Sequence, residues 1–130
     1  MVDLMGARIL VVEDNPLNLK LIRDVLEYGG FDVLTAQSGE EGVAMARSGR
    51  ADLILMDLQL PGIGGHEALL RIRSDPRCSA VPVVAVTAFA MKDDIESARK
   101  AGFDGYIAKP ISVRALPKQI AAFLPGGVDA

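Results

Sequence analysis

Leu53-Ile-Leu-Met56 is a run of four apolar residues with no polar residue alternating among them. A strand with one wet face alternates apolar and polar residues, so this run reads as a central strand covered on both sides. Strands covered on both faces belong to parallel sheets, whose crossovers are usually helices. The surrounding sequence supplies both. Arg8-Ile-Leu-Val-Val-Glu13, Phe31-Asp-Val-Leu-Thr35, Pro82-Val-Val-Ala-Val-Thr87 and Tyr106-Ile-Ala108 read as further strands. Amphipathic stretches predict helices over 16–28, 40–47, 66–73, 93–100 and 113–123. Asn15-Pro16 opens the first helix as N-cap and first-turn proline, and Gly29-Gly30 closes it. Leu21, Ile22, Val25 and Leu26 are expected on its core face. Five strand–helix units give an α/β fold: a five-stranded parallel sheet with helices on both faces.

The chain has 130 residues, the size of one domain, with half of them apolar and 24% charged. A net charge of −3 argues against a nucleic-acid module. The single cysteine, Cys78, excludes an internal disulfide and a cysteine-rich zinc site, and fits a reducing compartment. No apolar run approaches the length of a membrane span, and the first residues lack the order of a signal peptide. The expectation is a soluble cytoplasmic chain that inserts in no membrane and binds no nucleic acid. Residues 1–125 are expected to form the domain and 126–130 a short tail, with no output domain.

Parallel strands carry their carboxyl ends to one edge of the sheet, where open α/β folds bind ligands. Here those ends carry Glu13 and Asp14 on the first strand, Asp57 after the third, Thr87 on the fourth and Lys109 after the fifth. Three converging carboxylates repel one another unless a divalent cation is present or some are protonated. Oxygen ligands at an open edge suit Mg²⁺. One lysine and one hydroxyl complete a phosphate site, so the set reads as phosphoryl transfer to a carboxylate.

Four segments in order, Val11-Val-Glu-Asp-Asn15, Leu55-Met-Asp-Leu-Gln-Leu-Pro-Gly62, Val86-Thr-Ala88 and Tyr106-Ile-Ala-Lys-Pro110, resemble the receiver domain of two-component response regulators. The resemblance spans essentially the whole chain. It implies a CheY-like, flavodoxin-like sheet of order 2-1-3-4-5. It implies that Asp57 accepts the phosphoryl group, and that Asp14, Asp57 and the backbone carbonyl of Gln59 bind Mg²⁺, with Glu13 acting through a water. Lys109 would bind phosphoryl oxygens, Thr87 would be the switch hydroxyl, and Tyr106 the switch aromatic that turns inward. The Lys109-Pro110 bond would be cis. Val84-Ala-Val-Thr-Ala-Phe-Ala-Met-Lys92 resembles small stand-alone receivers of the DivK type, and receivers of hybrid kinases share it. The implied partners are a sensor histidine kinase or a histidine phosphotransfer protein, and a downstream protein effector.

On that reading the chain is a signalling switch that promotes its own phosphorylation and dephosphorylation and turns over no external substrate. An aspartyl-phosphate phosphatase is the competing enzyme class, but it typically carries Asp-x-Asp at the first strand end, where this chain has Glu13-Asp14-Asn15. A scaffold that has lost the chemistry conflicts with intact Asp57, Thr87 and Lys109. An FMN carrier conflicts with three carboxylates at the phosphate edge. Gly62-Ile-Gly-Gly65 reads as a turn, because Glu67 stands where a nucleotide loop needs its third glycine. His66 reads as an exposed first-turn residue, Arg71, Arg73 and Arg77 as a solvated helix end, and Cys78 as incidental. At least one of Leu17 and Leu19 is expected to be exposed beside the acidic site, where it would help dock a partner's four-helix bundle.

Phe89 and Gln59 flank the path that the resemblance implies for the hydrolytic water, and the apolar Phe89 cannot orient that water by hydrogen bonding. A phosphoryl group on this chain is therefore expected to last minutes or longer. Phe89→Glu or Phe89→Asn should shorten that lifetime, as followed by intact mass against time.

Overall fold

A computed structural model of the chain describes residues 6–88 and 92–124. Five strands, β1 (Arg8–Val12), β2 (Asp32–Ala36), β3 (Leu53–Asp57), β4 (Val83–Thr87) and β5 (Gly105–Ala108), alternate with five helices. The helices are α1 (Pro16–Tyr28), α2 (Gly39–Arg47), α3 (Gly65–Arg73), α4 (Lys92–Ala101) and α5 (Leu116–Phe123). The strands are all parallel, in the order β2-β1-β3-β4-β5. Both β3 and β4 are buried along their whole length, as covered central strands must be. Phe89, Met91 and the tail at 126–130 lie outside the described residues. No described helix is long and apolar enough to cross a membrane.

The two-residue period of the strands sorts the core into two layers. Leu10, Val12, Ile54, Met56, Val83 and Ala85 face Val43 and Ala46 of α2 and Ala68, Leu69 and Ile72 of α3. Ile9, Val11, Leu53, Leu55, Val84 and Val86 face Leu19, Ile22 and Leu26 of α1 and Leu116 and Ile120 of α5. The helices are anchored unequally. α1, α2, α3 and α5 each bury at least two residues, whereas α4 buries only Ala98.

Helix starts follow their capping chemistry. Asn15 Oδ1 accepts from the amides of Leu17 (3.0 Å) and Asn18 (3.2 Å), with Pro16 in the first turn. Ser38 Oγ accepts from the Glu41 amide at 3.1 Å, and Glu40 and Glu41 sit favourably at the positive end of α2.

Three expectations need correction. The core stripe of α1 is Leu19, Ile22 and Leu26, while Leu21 is 44% exposed. Residues 19, 22 and 26 share one helical face, and residue 21 lies about 100° away from residue 22. The last helix begins at Leu116, not Val113, because Pro117 lacks an N–H and fits only a first turn. Arg73 is not a solvated charge. Its guanidinium donates to the carbonyls of Ser79, Val81 and Gly102 and pairs with Asp104 at 2.8 Å, tying the end of α3 to the start of β5. His66 is exposed as expected, its ring set edge-on to Phe103. Cys78 is buried and donates to the Ile72 carbonyl.

Gly65 opens α3 against the end of β3. A Cβ there would lie 2.9 Å from the Asp57 carbonyl oxygen and 3.0 Å from the Leu58 Cα, both backbone atoms that cannot rotate away. Gly65→Ala is expected to destabilise the chain by about 1–3 kcal/mol, read from the shift of the urea unfolding midpoint.

Candidate functional site

Each polar strand end is pinned by one backbone hydrogen bond beyond the regular ladder. The Glu13 amide donates to Ala36 (3.0 Å), the Leu58 amide to Val86 (3.0 Å) and the Lys109 amide to Thr87 (2.8 Å). The sheet therefore continues past its strands at the three places where charged side chains leave it. Lys109 precedes a cis peptide bond to Pro110, as the resemblance implied.

These rungs bring Glu13, Asp14, Asp57 and Lys109 together. The Lys109 ammonium lies 2.7 Å from Asp57 Oδ2 and 3.5 Å from Glu13 Oε1. Asp57 and Glu13 are almost wholly buried, and Asp14 is exposed at the mouth. Two short-range turns hold the buried carboxylates: the Gln59 amide donates to Asp57 Oδ1 (2.8 Å), and the Asn15 amide to Glu13 Oε2 (3.1 Å). The other oxygen of Glu13, Oε1, is buried with no hydrogen-bond donor among the described residues. One oxygen from each of Glu13, Asp14 and Asp57 lies within 4.8 Å of the others.

The electrostatics follow from that crowding. Burial pushes the Glu13 carboxyl up to about 7, the charge of Asp57 adds to the rise, and the Asn15 amide and Lys109 oppose it. For Lys109, burial favours the neutral form, but Asp57 and Glu13 together outweigh it and raise its pKa. The cluster is short of positive charge, and a divalent cation among three hard oxygen donors would remedy that.

Thr87 is buried at the end of β4. Tyr106 stands on β5 beside Ala85 and is 41% exposed, so its ring is not in an inward position. With Ile95, Ala98 and Phe103 it lines a cavity of about 240 Å³ under α4. Leu17 is 79% exposed and Leu19 is buried, which resolves the expectation that at least one of them is exposed. Sequence reasoning missed a groove of about 440 Å³ beside the carboxylates, formed by Asn18, Leu21 and Ile22 of α1 with Lys109, Pro110 and Ile111. Its signal was Ile111, an apolar residue in the loop before α5, half-buried where it packs against the α1 and α5 side of the core.

The folded chain holds the Glu13 proton more tightly than the unfolded chain, whose Glu13 titrates near 4.5. This group's contribution to stability is thus complete below that value and lost as pH rises through about 7. In metal-free protein, carbon-detected NMR should give a Glu13 midpoint near 7. Glu13→Gln should flatten the part of the stability–pH profile that lies in this window.

A family model described as the response regulator receiver domain matches residues 9–121. The polar-differentiation response regulator DivK of Brucella anthropi is 44% identical over 120 residues, covering 92% of this chain and 98% of that protein. The receiver domain of the sensor histidine kinase PA1611 from Pseudomonas aeruginosa, solved with a magnesium ion in its active-site cleft, is 36% identical with a TM-score of 0.83. That alignment covers 91% of this chain and 97% of the other. A chain of the Saccharomyces cerevisiae co-crystal of the histidine phosphotransfer protein Ypd1 with the Ssk1 receiver domain is 31% identical, with a TM-score of 0.84. It covers 92% of this chain and 89% of its own length.

Proposed function

This chain belongs to the receiver-domain family of response regulators and is a phosphorelay signalling switch, and on that premise we propose that its Asp57 carboxylate is the phosphoacceptor. The observation that carries the reading is the buried Asp57, held on one oxygen by the Gln59 amide and on the other by Lys109, beside two further carboxylates. The family's role is signalling rather than metabolic. The phosphoryl group comes from a phosphohistidine on a sensor histidine kinase or a histidine phosphotransfer protein. An Asp57 oxygen attacks phosphorus in line; the O–P bond forms as the P–N bond breaks, and the electron pair leaves with the imidazole. Attack of water on the acyl phosphate later returns the carboxylate, so both directions use the chain's own site.

The donor set fits Mg²⁺, since Glu13 Oε1 is buried without a donor and the three carboxylates are hard ligands within reach of one another. Asp14, Asp57 and the backbone carbonyl of Gln59 would hold the ion directly, and Glu13 through a water. Bound there, the cation supplies positive charge that offsets the carboxylates and the charge growing on the phosphoryl oxygens. Lys109 follows the charge. Its ammonium neutralises Asp57 in the resting state and turns to the phosphoryl oxygens once that carboxylate is phosphorylated.

Thr87 and Tyr106 then carry the signal. A phosphoryl group adds up to about two negative charges at the strand edge, drawing the Thr87 hydroxyl toward it. That vacates space for Tyr106 to turn inward past Ala85, its small register partner on β4. The adjacent α4 is held by a single buried residue, Ala98, which suits it to shift with the tyrosine. A downstream protein effector reads the altered α4–β5 surface. The upper groove, with exposed Leu17 and Leu21 at its side, receives the helical bundle that carries the phosphohistidine.

Incubation with Mg²⁺ and acetyl phosphate should add one phosphoryl group by intact mass, with none in Asp57→Asn or with EDTA. Changing Leu17 and Leu21 both to Ala should leave that labelling intact and slow transfer from a phosphohistidine donor. Absence of an adduct together with no response to beryllofluoride would sink the phosphoacceptor reading.

A further inference from the structure

A second groove lies on the same side of the molecule but away from the strand ends. It is an open cleft of about 750 Å³ where the last turn of α1 meets the start of α5. Val25, Tyr28, Val113 and Pro117 supply its apolar lining, with Asp24 on the α1 side and Arg114 on the α5 side. Tyr28 is 97% exposed, an unusual position for a large aromatic ring with no cover, and Val113 is also exposed. Tyr28 is the last residue of α1, about 18 Å along the helix axis from Pro16 at 1.5 Å per residue, so the groove is separate from the phosphoacceptor site. Its floor is fixed: a Cβ on Gly29 would lie 3.1 Å from Pro117 Cβ, so the two elements are already in contact there.

The charges on its two banks differ. On α1 they cancel in pairs, Lys20 with Asp24 at 2.6 Å and Arg23 with Glu27 at 3.9 Å. Across the groove, the amide of Leu116 donates to the Ser112 carbonyl at 2.9 Å, so the turn before α5 is already helical. Arg114 and Lys118, four residues apart, therefore project from one face. Both are exposed, and neither has a side-chain ion pair or hydrogen bond among the described residues. The result is an apolar trough with one neutral bank and one bank of two uncompensated cations.

We propose that this groove seats an acidic amphipathic helix of another protein. Its apolar residues, spaced three and four apart, pack on Tyr28, Val113 and Pro117, and its carboxylates face Arg114 and Lys118. A second copy of this chain fits less well, because a two-fold pairing here offers each cationic bank only a neutral α1 bank or another cationic one. The surface is independent of the phosphoacceptor reading and adds a partner that α1 and α5 hold while the strand edge stays open.

The test replaces Tyr28 with p-benzoylphenylalanine in the full chain, irradiates the cells that make it, and sequences the cross-linked peptide. The expected adduct is a segment of another protein with acidic and apolar residues at helical spacing. Its yield should fall at least about fivefold when Arg114→Glu and Lys118→Glu are both present, as losing two charge contacts implies. A synthetic peptide of the adduct sequence should bind the purified chain, and its Glu/Asp→Lys counterpart should not. Acetyl phosphate labelling of the double variant should match the unaltered chain, which shows that the fold is intact. An adduct to a second copy, to a phospholipid, or to a segment insensitive to the two charge reversals overturns the proposal, as does the absence of any adduct.

Discussion

One ammonium serves three carboxylates at the open edge of this sheet, and that imbalance governs the rest of the structure. Lys109 reaches Asp57 at 2.7 Å but comes only within 3.5 Å of Glu13, whose nearer oxygen is left without a hydrogen bond. Burial of such a group costs free energy, and replacing it with apolar residues would often stabilise a fold. Its presence is explained by what it can bind and not by what it holds together. The fold offsets the cost by rigidity: three backbone rungs beyond the strands fix Glu13, Leu58 and Lys109, and two local turns orient the buried carboxylates. The raised pKa of Glu13 expresses the same shortage of positive charge in the currency of protons.

The architecture was legible because it is written in runs. Uninterrupted apolar stretches at β3 and β4 declare strands covered on both faces, and parallel pairing then follows from the helices between them. The site was legible for a related reason: a parallel sheet turns positions scattered along the chain into neighbours at one edge, so Glu13, Asp57 and Lys109 meet although the first and last are 96 positions apart.

What escaped the sequence lay in rotations and in long side chains. Leu19 and Leu21 are equally apolar, and only the angle of α1 against the sheet decides that the first is buried and the second lines a groove. Arg73 looks like any arginine at a helix end, where it would normally be solvated. Its role as a tie between the α3–β4 and α4–β5 connections depends on carbonyls from Ser79 to Gly102 that no local pattern brings together. The start of α5 was legible after all, since Pro117 fits a helix only in its first turn.

The two sides of the sheet edge are mechanically different, and the difference suits them to different work. On the α1 side, Asn15 does two things at once: its amide holds Glu13 Oε2, and its side chain caps α1. Displacement of α1 would therefore reach the carboxylate cluster through one residue, and three buried side chains oppose such displacement. A partner that docks here meets a surface registered to the site. On the α4 side the anchoring is a single alanine next to a 240 Å³ cavity and a half-exposed tyrosine. A helix held so lightly can change position at small cost. Precise delivery of a phosphoryl group needs the first kind of surface, and a readout that differs between two states needs the second.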